Sequence, residues 1–157
     1  MRALVLVLFI AACGQASDPP TTDAPAADPP AQAEAALPAA QTPQEALAAM
    51  PNWETARAAG VDFRAVGQEP GWLLDIYTRG IVKFAWDYGE NYAEFAIAEP
   101  TYPQEGVTRY EASSDGRALV VTIRRMPCSD AMSGQPYPSS VEVVIDGRTL
   151  IGCGRSV

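Results

Sequence analysis

From Val61 onward the chain alternates apolar and polar residues in short runs broken by turn residues. The first four runs are VDFRAVG (Val61 to Gly67), WLLDIYT (Trp72 to Thr78), IVKFAWD (Ile81 to Asp87) and YAEFAIA (Tyr92 to Ala98). Four more follow: VTRYEAS from Val107, ALVVTIRRM from Ala118, SVEVVI from Ser140 and TLIGCG from Thr149. A period of two sends successive side chains to opposite faces, the pattern of a strand with one face in a core. Asp115-Gly116 and Asp146-Gly147 each join two such runs, and Asp-Gly is a strong signal for a two-residue hairpin. The spacing predicts an all-β domain over residues 61–157, a small antiparallel barrel or sandwich of about eight strands.

Residues 42–60 carry a different pattern. Thr42, Pro43 and Glu45 make a capping box with proline at the first helical position, which predicts a short helix through Met50. Pro51 interrupts it. Asn52 can cap a second short helix from Trp53, and Gly60 would end it. The β domain is therefore expected to have a short helical lead-in.

The start of the chain bears on location. Arg2 precedes ten apolar residues, Ala3 to Ala12, about half of what a bilayer-spanning helix needs. A basic start, a short apolar run and small residues before a cleavage point make residues 1–12 an export signal. Ile10-Ala11-Ala12-Cys13 resembles the lipobox of bacterial lipoproteins. That resemblance implies cleavage before Cys13, diacylation of its thiol and acylation of the new amino terminus. The alternative is an ordinary secretory signal that happens to hold a cysteine. Two or more acyl chains anchor a protein stably where one does not. Gly14 follows the cysteine in place of an aspartate, which by analogy with enteric sorting implies the outer membrane, facing the periplasm. Residues 14–41 hold six prolines, ten alanines, four acids and a single large aliphatic, Leu37. Such a segment cannot offset its ordering entropy, so it is expected to be a disordered tether with a reach of up to roughly 85 Å.

The net charge of −8 divides into +1 in the signal, −4 in the tether and −5 in residues 42–157. Fifteen acids against ten bases, with no basic run, argue against a nucleic-acid partner. Cys128 and Cys153 are the two cysteines of the domain, and in an oxidising compartment an even pair reads as a disulfide. Closing a loop of about 26 residues is worth roughly 3.5 kcal/mol in the chain-entropy model. A metal site would need more ligands, and the chain has no histidine, so no metal or cofactor is expected. Without histidine the usual triads cannot be assembled. Ser133 and Lys83 have no spacing that supports a dyad. Asp87 and Glu90 bracket a glycine turn and read as solvated turn acids rather than a glycosidase pair or calcium ligands. The chain is expected not to be an enzyme.

Two stretches hold the candidate binding residues. GQEPGW, Gly67 to Trp72, is a tight bend that would set Glu69 and Trp72 on the rim of a barrel mouth. Alternatively, Trp72 is a core tryptophan behind a strand-connecting turn. CSDAMSGQPYPSS, Cys128 to Ser140, lies between apolar runs, and a Cys128–Cys153 bond would staple it to the last strand. A loop so held would be preorganised, with Asp130, Ser133, Gly134 and Tyr137 as candidates and Ser133 and Tyr137 facing outward.

Together, VDFRAVGQEPGW, DYGE, CSDAMSGQPYP and DGRTLIGCG resemble a family of exported bacterial proteins and lipoproteins. Its pattern is G-x-E-P-x-W, then C-x-D-x-M-S-G-x-x-Y-P, then a closing Gly-Cys. The resemblance covers residues 61–157 and implies a common fold and the Cys128–Cys153 pairing, but no activity. Ser133-Gly134-Gln135-Pro136-Tyr137 also resembles the S-G-x-x-Y loop of the periplasmic and membrane-bound inhibitors of c-type lysozyme. Those are small β-barrel proteins whose loop enters the lysozyme cleft. The resemblance implies that Ser133 bonds the catalytic carboxylates, that Tyr137 shapes the loop, and that lysozyme is the partner. The chain departs from those inhibitors in lacking their Y-x-x-x-T-K-G segment and its lysine. The expectation is an outer-membrane lipoprotein with a non-catalytic binding or structural role toward an envelope protein or a small ligand. Lysozyme inhibition is the alternative.

Overall fold

The computed structural model describes residues 41–157; the expected signal, the lipidated Cys13 and the tether lie outside the described residues. A short helix α1 (Pro43–Ala48) leads into β1 (Val61–Gln68), β2 (Gly71–Tyr77), β3 (Ile81–Trp86) and β4 (Asn91–Ala96). Then come β5 (Thr101–Gln104), β6 (Val107–Ser114), β7 (Arg117–Arg124), β8 (Cys128–Ser129), β9 (Pro136–Tyr137), β10 (Ser139–Ile145) and β11 (Arg148–Ser156). Nine strands form one antiparallel sheet in the order β4-β3-β2-β1-β11-β10-β7-β6-β5, and β8 pairs only with β9. The sheet curls into a half-barrel until β4 lies against β6.

The all-β expectation is borne out, and each of the eight alternating runs is a strand. Both Asp-Gly pairs make the expected hairpins. Asp115 and Gly116 have φ of 51° and 77°, and Asp146 and Gly147 have 49° and 80°. Two successive left-handed residues define the turn whose twist suits antiparallel strands. Three strands were not foreseen. β5 contains Pro103 and is exposed at all four positions, as befits an edge strand that needs no donor there. β8 and β9 form a small ribbon inside the loop between β7 and β10.

The lead-in needs one correction. α1 forms with its capping box, but the helix expected from Trp53 to Gly60 is a run of turns. Asn52 Oδ1 does cap this stretch, accepting from the backbone N–H groups of Glu54 and Thr55 at 3.0 and 2.9 Å. Gly60, at φ +86°, closes it through Val61 N–H to Ala56 O and Gly60 N–H to Arg57 O, both at 3.0 Å. Cap and closing motif stand so near each other that a single turn fits between them. That is too little chain to offset helix nucleation.

The inner face of the half-barrel carries the core: Leu74, Ile76, Val82, Phe84, Phe95, Leu119, Val121, Val141, Val143, Ile145 and Leu150. Trp72 belongs to it, only 5% exposed, and this corrects its placement on a binding rim. A Cβ on Gly67 of β1 or on Gly152 of β11 would run into its indole. Gly67 of GQEPGW and Gly152 of LIGCG are thus the floor on which Trp72 lies. Phe84 meets Trp72 edge-on at 6.1 Å and stacks on Trp86 at 4.9 Å. Together the three rings plug one end of the barrel.

Part of the outer face, over β1, β2 and β11, is covered too. Arg64 of β1 and Asp75 of β2, 2% and 0% exposed, form a bidentate pair with both bonds at 2.6 Å. Arg64 Nη2 also donates to the Pro51 carbonyl at 2.7 Å. Trp53 of the lead-in lies over Arg64 and Arg155, whose guanidinium carbons are 5.1 and 4.4 Å from its ring centre. Losing one partner of such a pair strands a buried charge, typically at about 3–5 kcal/mol. The lead-in is therefore part of the folded unit. On β11 the ribbon is fixed by the Cys128–Cys153 disulfide, whose Cα atoms are 5.5 Å apart.

Candidate functional site

The loop from Cys128 to Ser140 is built around Asp130. Its carboxylate accepts from Gln68 Nε2 at 2.8 Å, from Ser133 N–H at 2.8 Å and from the Ser133 hydroxyl at 2.6 Å. The two Ser133 donors, with Gln68 behind them, hold the Asp130 carboxyl below its usual range. Asp130 N–H donates to Gln135 O and Gly134 N–H to Asp130 O, both at 2.9 Å, while Gly134 takes a φ of +68°. Ser133 Oγ further accepts from Gln135 N–H at 3.2 Å. Ser133 and Gly134 are exposed, as expected, but the serine's hydroxyl proton is already committed to Asp130.

Tyr137 does not face outward. It is 7% exposed, with its ring centre 6.3 Å from that of Trp53. The reason is register: Tyr137 stands directly opposite Cys128 in the ribbon, so both side chains take the same face. The disulfide draws that face down onto β11.

The remaining candidates do not gather around this loop. Trp72 is in the core. Glu69 is exposed at the β1–β2 turn and accepts from the Tyr88 hydroxyl at 3.2 Å. Asp130 lines a shallow cavity of about 140 Å³ beside the disulfide, with Gln68 and Ile151. Glu69, Trp72 and Ser133 are not part of its wall. Asp87, read as a solvated turn acid, is instead clasped by both Nη atoms of Arg148 at 2.9 Å and by Asn91 Nδ2 at 3.1 Å. Its hydrogen bond to Arg148 holds the Asp87 carboxyl below the usual range. Glu90 is exposed, as expected.

The clasp belongs to the plugged end of the half-barrel, where the β1–β2, β3–β4, β6–β7 and β10–β11 turns lie. Arg117 bonds Asp146 there at 2.7 Å and stands 5.3 Å from the Trp86 ring centre. The other end is open. A cavity of about 350 Å³ there is walled by Asp62, Phe63, Tyr102, Val107, Thr108, Tyr110, Ile123, Arg125, Ser139 and Ser156, among others. Register explains the set. Ser139 pairs with Gly154, Ser156 with Phe63 and Thr108 with Ile123, so all share the inward phase of the core residues deeper in each strand. A neighbouring cavity of about 210 Å³ shares Asp62 and Tyr110 and extends to Ile97 and Glu99.

Among the described residues, the side chains of Asp62, Thr108, Tyr110, Arg125, Ser139 and Ser156 make no hydrogen bond or ion pair. Ser139 is only 8% exposed. Burial, with Tyr102, Asp62 and Glu99 nearby, pushes the Tyr110 hydroxyl up. Tyr102, 71% exposed on the edge strand β5, stands at the rim.

No family model, no curated protein and no solved structure matches this chain. The chemistry the mouth offers is hydrogen bonding and ring contact. Its hydroxyls both donate and accept, Asp62 only accepts and Arg125 only donates. Sequence reasoning missed every one of these residues. The signal that marks them is a polar residue in the inward phase at the same end of several strands.

Proposed function

We propose that this chain is a lipid-anchored protein of the cell envelope that binds a ligand, without chemical turnover, in the open mouth of its half-barrel. The observation that carries the reading is the uncommitted polar set around that cavity. These groups remain open to water rather than bonded to the protein, and a concave polar cluster of that kind can exchange its water for an external partner. The lipobox-like Ile10-Ala11-Ala12-Cys13 and the Pro/Ala tether support display from the outer membrane into the periplasm. Lysozyme inhibition through Ser133-Gly134-x-x-Tyr137 gains no support from the loop. The Ser133 hydroxyl already donates to Asp130, and Tyr137 packs inward.

Photo-crosslinking in intact cells tests the site. A benzophenone side chain replacing Tyr102 at the mouth is expected to give a discrete adduct, and one replacing Met132 at the loop apex is not. Adducts from position 132 alone would move the function to the loop. The anchor is tested by Cys13→Ala, which is expected to release the protein from membranes or leave its signal uncleaved. A variant that is cleaved and still fractionates with membranes defeats the anchored reading.

A further inference from the structure

Resting on the reading of the mouth as a ligand site, the geometry points to the class of its ligand: a neutral saccharide of one or two rings. The placement of charge is the first reason. Asp62 and Arg125, the acid and the base of the cavity wall, are both exposed at its rim. The deeper wall holds Ser139 with Phe63, Tyr110 and Ile123, none of them charged. An ionic group pushed to that depth would lose its water and meet no counter-charge, which is heavily disfavoured. A hydroxyl at the same depth exchanges its water for Ser139, Thr108 or Tyr110.

Matching of donors and acceptors is the second reason. These three hydroxyls can each give and take a hydrogen bond, so they suit a ligand whose own groups do both around a ring. Tyr110 is a donor at neutral pH as any tyrosine is, and burial pushes its hydroxyl further up. The third reason is the pair of aromatic rings, Phe63 and Tyr102, bordering the same space. An amphipathic ligand can lay its C–H face on a ring and turn its hydroxyls to the polar wall. At about 350 Å³ the cavity lies at the small end of the roughly 300–1,000 Å³ typical of ligand pockets. A short zwitterion is the competing class, since Asp62 and Arg125 could meet its two ends, but it would leave the uncharged depth unused.

Saturation-transfer NMR on the full chain, in a detergent without a sugar head group, decides between them. The probes are a panel of neutral mono- and disaccharides, including cellobiose and chitobiose, with glycylglycine and choline as charged controls, all at millimolar concentration. Saccharide signals are expected, and Ser139→Ala and Tyr110→Phe should each weaken binding about three- to tenfold, the effect of one lost hydrogen bond. Met132→Ala, on the loop, should leave it unchanged. Saccharide signals indifferent to both mouth variants, or no saccharide signal at all, would overturn the assignment. Mouth-sensitive binding of glycylglycine or choline alone would sink the saccharide and keep the mouth. The adduct at position 102 reports on the mouth whatever the ligand, so the two failures remain distinct.

Discussion

The two ends of the half-barrel handle their polar groups in opposite ways. At the plugged end Asp87 is held by Arg148 and Asn91, Asp146 by Arg117, and Glu69 by Tyr88. The loop beside it ties Asp130 to Gln68 and Ser133. Behind these pairs lies the Trp72–Phe84–Trp86 stack. At the mouth a comparable number of polar side chains lines the cavity and makes no hydrogen bond to another described side chain. The first arrangement exchanges water for protein partners, whereas the second leaves its groups to water. Under the proposed reading the second arrangement is kept for another molecule, and stability and recognition would be separated along one barrel axis.

The plugged end is most vulnerable at Trp72. Truncating a buried tryptophan typically costs about 3–5 kcal/mol, and Gly67 and Gly152 beneath it have no side chains of their own to fill the gap. Urea unfolding of Trp72→Ala is expected to show a loss in that range. Tyr102→Ala at the rim should stay within about 0.5 kcal/mol of the parent, as exposed substitutions do. Equal losses at the two positions would mean that the ends do not differ as described.

A smaller effect tests the clasp. The Asp87 carboxyl is held low by its hydrogen bond to Arg148. A group whose folded pKa is depressed contributes stability above its unfolded value, about 3.9 for Asp, and loses it as the pH falls through the folded value. Arg148→Ala should therefore return the Asp87 carboxyl toward the ordinary range in an NMR titration and flatten the acid side of the stability curve. Asp130 and Glu94 are also held low and titrate in the same window, so the difference between parent and variant is the informative quantity. The pair is partly in water, which keeps the effect below that of Trp72. An unchanged Asp87 titration would remove the clasp from the account of the plugged end.

The strands were legible because two local signals agree. Period-two alternation set their phase, and the Asp-Gly pairs set two of their turns. β5 escaped because Pro103 and four exposed positions leave no inward apolar residue to read. Tyr137 was misplaced because its direction depends on its partner across the ribbon, Cys128, which sequence order does not reveal. Trp72 could be read either way, as a rim residue or a core residue, until Gly67 and Gly152 were brought under it by the pairing of β1 with β11. The mouth was not read at all, since serine, threonine and tyrosine are ordinary strand residues one at a time. Its trace emerges only when strands are aligned. The inward phase of β10 runs Ser139, Val141, Val143, Ile145, and that of β11 runs Leu150, Gly152, Gly154, Ser156. β6 runs Thr108, Tyr110, Ala112. Each turns hydroxyl-bearing at the same end, and that coincidence is a tertiary fact.

The smallest predicted effect is the most pointed test of that coincidence. Ser139 is 8% exposed as a residue, and its hydroxyl makes no hydrogen bond to another described residue but still reaches solvent. Replacing a hydroxyl bonded within the protein usually destabilises, whereas deleting one that bonds only water is close to neutral. Ser139→Ala is therefore expected to leave the urea midpoint unchanged or slightly raised, within about 0.5 kcal/mol. Ser133→Ala is the matched control, since it breaks the bonds to Asp130 and Gln135 that shape the loop, and it should lower stability measurably. If Ser139→Ala instead loses on the order of 1 kcal/mol, the hydroxyl has an internal partner after all. The mouth would then be a second satisfied end, and the case for a ligand there would fall with it. If the two serines separate as expected, the residue that matters least to folding is the one free to bind.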